Sequence, residues 1–171
     1  SAGGTVWDIE PVGNGEFLVG GDVSFFQGQI FSRVARINAA GSVNTNFQGS
    51  GANTTISSVK LGSDGKVMVG GNFFTWNNNS RLYIARLNAN GSLDTNFASN
   101  AGLPVVAAVP LPDGRVIVGR TGLGVADSFV TRYLANGAVD PTFTEIRNVR
   151  AQMISLAVHP DGSIWFSGAF G

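Results

Sequence analysis

The chain has 171 residues, enough to bury a sizeable core, with 24 glycines, 12 phenylalanines, 13% charged residues and a formal net charge of zero. With no basic or acidic block at either end, it lacks the electrostatic footprint of a nucleic-acid or anionic-membrane binder, and no apolar run reaches the roughly eighteen residues of a membrane span. Cysteine is absent, which excludes disulfides, thiolate metal sites and cysteine nucleophiles together.

Few charges and abundant glycine, asparagine and phenylalanine favour short strands joined by tight turns. In chain order the strands recur with a period near fifty residues, in four copies: 5–53, 54–102, 103–150 and an incomplete 151–171. In the first, Val6, Val19, Gly21, Arg36, Gly41 and Phe47 fall fifty residues before Ile56, Val69, Gly71, Arg86, Gly91 and Phe97. Its first turn is Asn14-Gly15. The second copy shows two hairpins. In one, Val59-Lys60-Leu61 and Val67-Met68-Val69 flank Ser63-Asp64-Gly65, which pairs Leu61 with Val67 and Val59 with Val69. In the other, a strand at Tyr83 to Leu87 and a strand at Ser92 to Phe97 flank Ala89-Asn90-Gly91, which sets Leu87 against Leu93 and Arg86 against Asp94. The third copy aligns Val106 with Ile56, carries Asp113-Gly114 as its turn, and sets Tyr133 opposite Val139 and Arg132 opposite Asp140. The fourth begins near Ile154, turns at Asp161-Gly162 and reaches Gly171 in mid-repeat.

Four strands per copy cannot bury both faces of their sheet, so each copy must stack on a neighbour, and stacking around an axis gives a propeller. The expected fold is all-β, about three and a half blades of a β-propeller. Both ends fall inside a repeat. This predicts apolar blade faces at the ends of the stack, to be covered by self-association, a partner chain or the remaining blades of a longer parent chain.

The run Val67-Met68-Val69-Gly70-Gly71-Asn72-Phe73, followed by Ile84-Ala85-Arg86-Leu87-Asn88-Ala89-Asn90-Gly91-Ser92-Leu93-Asp94-Thr95-Asn96-Phe97, resembles the delta-60 repeat. This is a propeller repeat of large bacterial, often secreted or surface, proteins, and the likeness recurs in register over nearly the whole chain. Three positions depart from it: Asn14 for the turn aspartate, Asn44 for the later aspartate, and Gly119-Arg120 for the double glycine. The resemblance implies a propeller and an extracellular or cell-surface setting, and brings no activity with it.

Among residues that carry chemistry, Arg36, Arg86 and Arg132 recur once per full copy. Two face an aspartate, as cross-strand ion pairs would require, and a structural role is favoured over anion binding, while Arg36 faces Asn44 and is expected to be the least paired of the three. Asp64, Asp113 and Asp161 precede glycine between apolar strands and are assigned to turns, since no calcium-loop pattern surrounds them. His159, the only histidine, precedes Pro160-Asp161-Gly162 and is also a turn residue. The glycine pairs Gly20-Gly21 and Gly70-Gly71 lack the lysine of a phosphate loop and are expected to permit a bulge or close approach of the neighbouring blade. No cofactor and no metal site is indicated.

The segments between the two hairpins of a copy vary most: Phe25-Phe26-Gln27-Gly28-Gln29, and Phe73-Phe74-Thr75-Trp76-Asn77-Asn78-Asn79. Aromatics interleaved with amides suit stacking on sugar rings and hydrogen bonding to their hydroxyls. Trp76, Asn77, Asn78, Gln27, Gln29 and Arg36 are therefore the candidate ligand-binding residues. Packing between blades is the alternative for Trp76 and the favoured reading for Phe26 and Phe74, and Trp7 and Trp165 are assigned to the core. The leading expectation is a non-enzymatic extracellular binding or scaffold module for a protein or glycan surface. A purely structural array and a propeller enzyme with an axial active site are its competitors.

Overall fold

The computed structural model describes residues 2–26, 28–31, 33–47, 49, 51–122, 128–149 and 151–170. Every described element is a β-strand. The first copy is an antiparallel sheet of Val6–Gly13, Glu16–Gly21 and Val34–Ile37 in that order. The second repeats it with Ile56–Leu61, Val67–Gly71 and Ile84–Leu87. The third has Val105–Pro110, Val116–Thr121, Ser128–Tyr133 and a fourth strand, Ile146–Val149, and the last copy contributes the hairpin of Ala151–Val158 and Ile164–Phe170.

The inferred registers hold: Leu61 pairs with Val67 and Val59 with Val69. Leu87 meets Leu93, and Tyr133 meets Val139. The strand expected at Ser92 to Phe97, however, is a single bridge at Leu93 followed by a turn. Asp94 causes this, because its carboxylate accepts the Asn96 amide at 3.0 Å and its carbonyl accepts the Phe97 amide at 3.3 Å, turning the chain inward and burying Phe97. Asp140 turns Thr142 and Phe143 in the same way.

The turns follow their sequences. Asp64, Asp113 and Asp161 each accept the amide two residues on, at 3.1, 3.0 and 2.8 Å, and the following glycines have φ of 77°, 82° and 87°. Asn14 and Gly15 instead close a two-residue turn, both with positive φ (53° and 76°).

The first strands of successive copies lie against one another. Leu18 and Val34 of the first copy pack on Ile56, Val59, Val67, Val69, Ala85 and Leu87 of the second. Met68 and Ile84 pack on Val105, Ala108, Val116 and Val118 of the third, and Ala107, Ile117 and Val130 on Met153 and Leu156 of the last. Each fully buried aliphatic side chain is worth about 1.5–3 kcal/mol against exposure, so these junctions hold the stack together.

The glycine pairs do both things expected of them. A Cβ on Gly20 would lie 2.9 Å from Ile56 Cγ2, one on Gly119 would lie 2.5 Å from Met153 Sδ, and one on Gly70 would collide with Val105 Cγ1. Opposite these three the first strand bulges, at Val6/Asp8, Ile56/Ser58 and Val105/Ala107, and the last hairpin repeats the bulge at Met153/Ser155, opposite Gly168 and Ser167. The bulge also corrects the third copy's alignment. Val105 occupies the place of Ile56, and Val106 is the extra, half-exposed residue.

Trp7 and Trp165 lie on strands as expected but are 60% and 68% exposed. Trp165 belongs to the last hairpin, on which no further copy packs among the described residues, while Trp7 is the extra residue of the first-strand bulge, at the place of the half-exposed Ser57 and Val106.

Candidate functional site

The second and third strands of the first two copies are joined at the blade end opposite the hairpin turns. Each connection forms a small hairpin: Phe25–Phe26 with Gln29–Ile30, and Thr75–Trp76 with Asn79–Ser80. Each is joined by the segment leading into its blade, through Ala2–Gly3 in the first copy and Ala52 in the second, again fifty residues apart.

Trp76 is 0% exposed, which corrects its assignment as a ligand-stacking residue. Its ring meets Phe73 edge-on at 5.9 Å and belongs to the cluster between the first two copies. The neighbouring asparagines, which suggested a polar loop, are what bury it. Asn77 and Asn78 take left-handed φ of 47° and 62° and close a two-residue turn, folding Trp76 back against Ala52. Asn79 Nδ2 donates to the carbonyls of Trp76 (3.3 Å) and Asn77 (3.1 Å), and the Asn77 amide donates to Gly51 O at 2.9 Å. Gly51 is glycine of necessity, since a Cβ there would lie 2.6 Å from the indole nitrogen. That nitrogen has no hydrogen-bond partner.

What stays outside is the tip and rim. The side chains of Asn77, Asn78, Asn79, Ser80 and Gln29 are exposed, as are Phe25 and Phe74. Phe74, expected between blades, lies on the surface edge-on to Tyr83 at 5.5 Å, and its neighbour Phe73 takes the buried place. Phe73 packs edge-on against the buried Trp76, and Phe74, the next residue in the bend between Gly71 and Thr75, faces outward. Gln27 lies outside the described residues.

Arg36 is not free, which corrects its expected lack of a partner. Its Nε and Nη2 both donate to Glu16, at 2.9 and 2.5 Å. In the second copy Arg86 donates to Asp94 at 2.8 Å and Lys66 bonds the same carboxylate at 2.8 Å. In the third, Arg132 and Arg115 converge on Asp140 at 2.7 and 3.5 Å. Position 16 corresponds to Lys66 and Arg115, and position 44 to Asp94 and Asp140. The first copy has therefore moved its acid from one position to the other, and the missing aspartate at Asn44 is made good by Glu16. Arg86 and Arg132 also cover the rings of Phe97 and Phe143, at 4.8 and 5.0 Å from the centroids.

These bonds set the titration of the acids. Asp140 is lowered to about 2, chiefly by the Thr142 hydroxyl, then by the Thr142 amide and Arg132. Burial raises the Asp94 carboxyl, but hydrogen bonds from Lys66, Arg86 and the Asn96 amide outweigh it and leave it lowered. Asp22 is lowered first by the Thr55 hydroxyl at 2.7 Å; Trp7 Nε1 and Arg33 also bind it, joining the first copy to the second. Lys60 reaches across the same junction to Asp8 at 2.8 Å and Glu10 at 3.4 Å. In the third copy Arg120, which replaces a glycine, bonds Glu145, Thr131 and the Ala101 carbonyl, with the last at 2.6 Å. His159 Nδ1 lies 3.1 Å from Asp161 on an exposed turn.

One recess escaped sequence reading because it lies between copies. A groove of about 600 Å³ separates the turns of the third and last copies, lined by Val109, Pro110, Leu111, Val158, His159 and Pro160. Among the described residues no group of three or more histidine, cysteine, aspartate or glutamate side chains converges as a metal site. Most charged side chains among the described residues are tied to one another within and between blades, Arg81 instead donating to the Ser80 carbonyl, while the exposed rim offers amides and aromatic edges that can hydrogen-bond and stack.

Antiparallel blades stacked through their first strands, the first three copies each pinned by an arginine ion pair and a glycine at the junction, define a β-propeller repeat protein. A family profile described as "Domain of unknown function (DUF5122) beta-propeller" matches residues 13–47, 62–97 and 111–143. The chain belongs to that family. No curated protein sequence matches it.

Proposed function

We propose that the chain is a non-enzymatic binding or scaffold module, with the rim of the inter-hairpin tips as its recognition surface for a protein or glycan. The observation that carries this reading is the contrast within one segment. Trp76 and Phe73 are fully buried and fix the hairpin, while Phe74, Asn77 and Asn78 stand exposed on it. A rigid base with polar and aromatic groups at its tip suits recognition, because little side-chain and loop entropy remains to be lost on binding. The first copy supports it by presenting Phe25 and Gln29 at the corresponding hairpin. The resemblance to delta-60 repeats supports an extracellular or surface setting.

The test is a glycan array and a surface-protein array probed with the intact chain and with Phe74→Ala. Recognition that is lost in the variant at unchanged thermal stability supports the rim. No recognition on either array, or recognition indifferent to Phe74, favours the competing reading of a structural array that binds nothing through its loops.

A further inference from the structure

Asparagine or aspartate followed by glycine is open to attack by its own backbone, because a glycine amide brings no side chain with it as it closes on the preceding side-chain carbonyl carbon. The chain holds six such pairs: Asn14-Gly15, Asp64-Gly65, Asn90-Gly91, Asp113-Gly114, Asn136-Gly137 and Asp161-Gly162. In five of them the attacking nitrogen is occupied. The Gly65 and Gly114 amides donate to the Gly62 and Leu111 carbonyls at 3.0 Å, and those of Gly91, Gly137 and Gly162 donate to Asn88, Leu134 and His159 at 2.8 Å. The asparagine side chains are held as well. Asn90 Oδ1 accepts the Ser92 amide at 3.1 Å and the Ser92 hydroxyl at 2.8 Å, and Asn136 Oδ1 accepts the Ala138 amide at 3.0 Å. Gly91 and Gly137 are also buried.

Asn14-Gly15 has none of this protection. It stands fifty residues before Asp64-Gly65, but the first copy closes its hairpin with two residues between the paired Gly13 and Glu16, where the second has the longer loop between Leu61 and Val67. In the longer loop the glycine amide bonds back to the residue that opens the turn, and the two-residue turn provides no such bond. Among the described residues neither the Gly15 amide nor the Asn14 carboxamide has a hydrogen-bond partner, and both residues are exposed.

We propose that Asn14 is a site of spontaneous covalent modification, with water as the only other reactant. The Gly15 nitrogen loses its proton to base and bonds to Asn14 Cγ. The Cγ–Nδ2 bond then breaks, and ammonia leaves with a proton returned to it. Water opens the resulting five-membered imide at either of its carbonyls. Opening at Cγ gives aspartate, the residue that Asp64, Asp113 and Asp161 supply at the turns of the other copies. Opening at the main-chain carbon gives isoaspartate, which routes the backbone through Cγ and adds one carbon to the tight turn between Gly13 and Glu16. Because Glu16 is the acid that holds Arg36, the isoaspartate form loosens that ion pair and the aspartate form leaves it in place.

The experiment incubates the folded chain, and the same chain in urea, at mildly alkaline pH, and follows aspartate and isoaspartate at positions 14, 90 and 136 by peptide mass spectrometry. In the folded chain Asn14 should convert at least about tenfold faster than Asn90 or Asn136, whose glycine amides must first break a hydrogen bond. In urea the three rates should converge, because the dipeptide is the same and only the fold distinguishes them. The purified isoaspartate form should melt below the Asn14→Asp variant, which should melt with the wild type. Conversion of Asn14 no faster than that of Asn90 or Asn136 in the folded chain overturns the proposal. So does a preference for Asn14 that persists unchanged in urea, since the flanking residues and not the turn would then set it. An isoaspartate form as stable as Asn14→Asp overturns the link to Arg36.

Discussion

Arg36, Arg86 and Arg132 occupy one position in three copies and find their carboxylates in two different places. What the repeat preserves is an acid beside the guanidinium, and the position supplying it is free to move from the fourth-strand site to the second strand. Glu16→Lys should therefore destabilise the first copy by about 1 kcal/mol, the scale of a partly exposed, hydrogen-bonded ion pair. Adding Asn44→Asp should restore most of the loss, because it recreates the arrangement of Lys66 with Asp94. Urea denaturation of the two single variants and the double variant reads the coupling directly. The acids also predict acid sensitivity. Asp140 and Asp94 are lowered in the folded state, so their contribution is fully present above the ordinary carboxylate value of 3.8 and is lost as pH falls through the folded values, to about 2 for Asp140. The urea midpoint should fall between about pH 4 and pH 2. Thr142→Val, which removes the largest cause, should lower the midpoint at pH 7 and flatten that fall.

At the level of strands and hairpins, the second-strand glycine opposite each first-strand bulge sets how closely two blades approach. Gly70→Ala should destabilise by about 1–3 kcal/mol through overpacking against Val105, with Val105→Ala recovering part of it in thermal melts. The inter-hairpin segment behaves as a folded element in its own right. Its asparagines supply left-handed backbone for a turn, and that turn carries Trp76 inward. Trp76→Ala should accordingly cost about 3–5 kcal/mol of stability, measurable by calorimetry, instead of leaving the fold intact and removing only a ligand. Hairpin registers were legible in the sequence because turn type and alternation fix them locally. The short fourth strand was not, since Asp94 and Phe97 read as strand residues until the capped turn and the guanidinium over the ring are seen.

Across the whole molecule, each copy is held mainly by its neighbours, so stability should be graded along the stack. Hydrogen exchange should protect Ile56–Leu61, Val67–Gly71 and Val105–Pro110 most strongly, because both of their faces are covered. Val6–Gly13 and Ile164–Phe170, each with one open face among the described residues, should exchange faster. Uniform protection from end to end would contradict this one-dimensional picture.

By itself the sequence determined the period, the all-β class, the turn types and most cross-strand pairs, because each depends on residues close along the chain or repeated at fixed spacing. Only the tertiary structure decided which aromatic side chains are covered. Trp76 looked open among asparagines and is buried, while Trp7 and Trp165 looked like core and are exposed. Alternation tells which face of a strand a side chain occupies, but whether anything packs on that face depends on the neighbouring blade. The acid for Arg36 was likewise hidden, because Glu16 lies twenty residues away and reaches it only across the first copy's sheet.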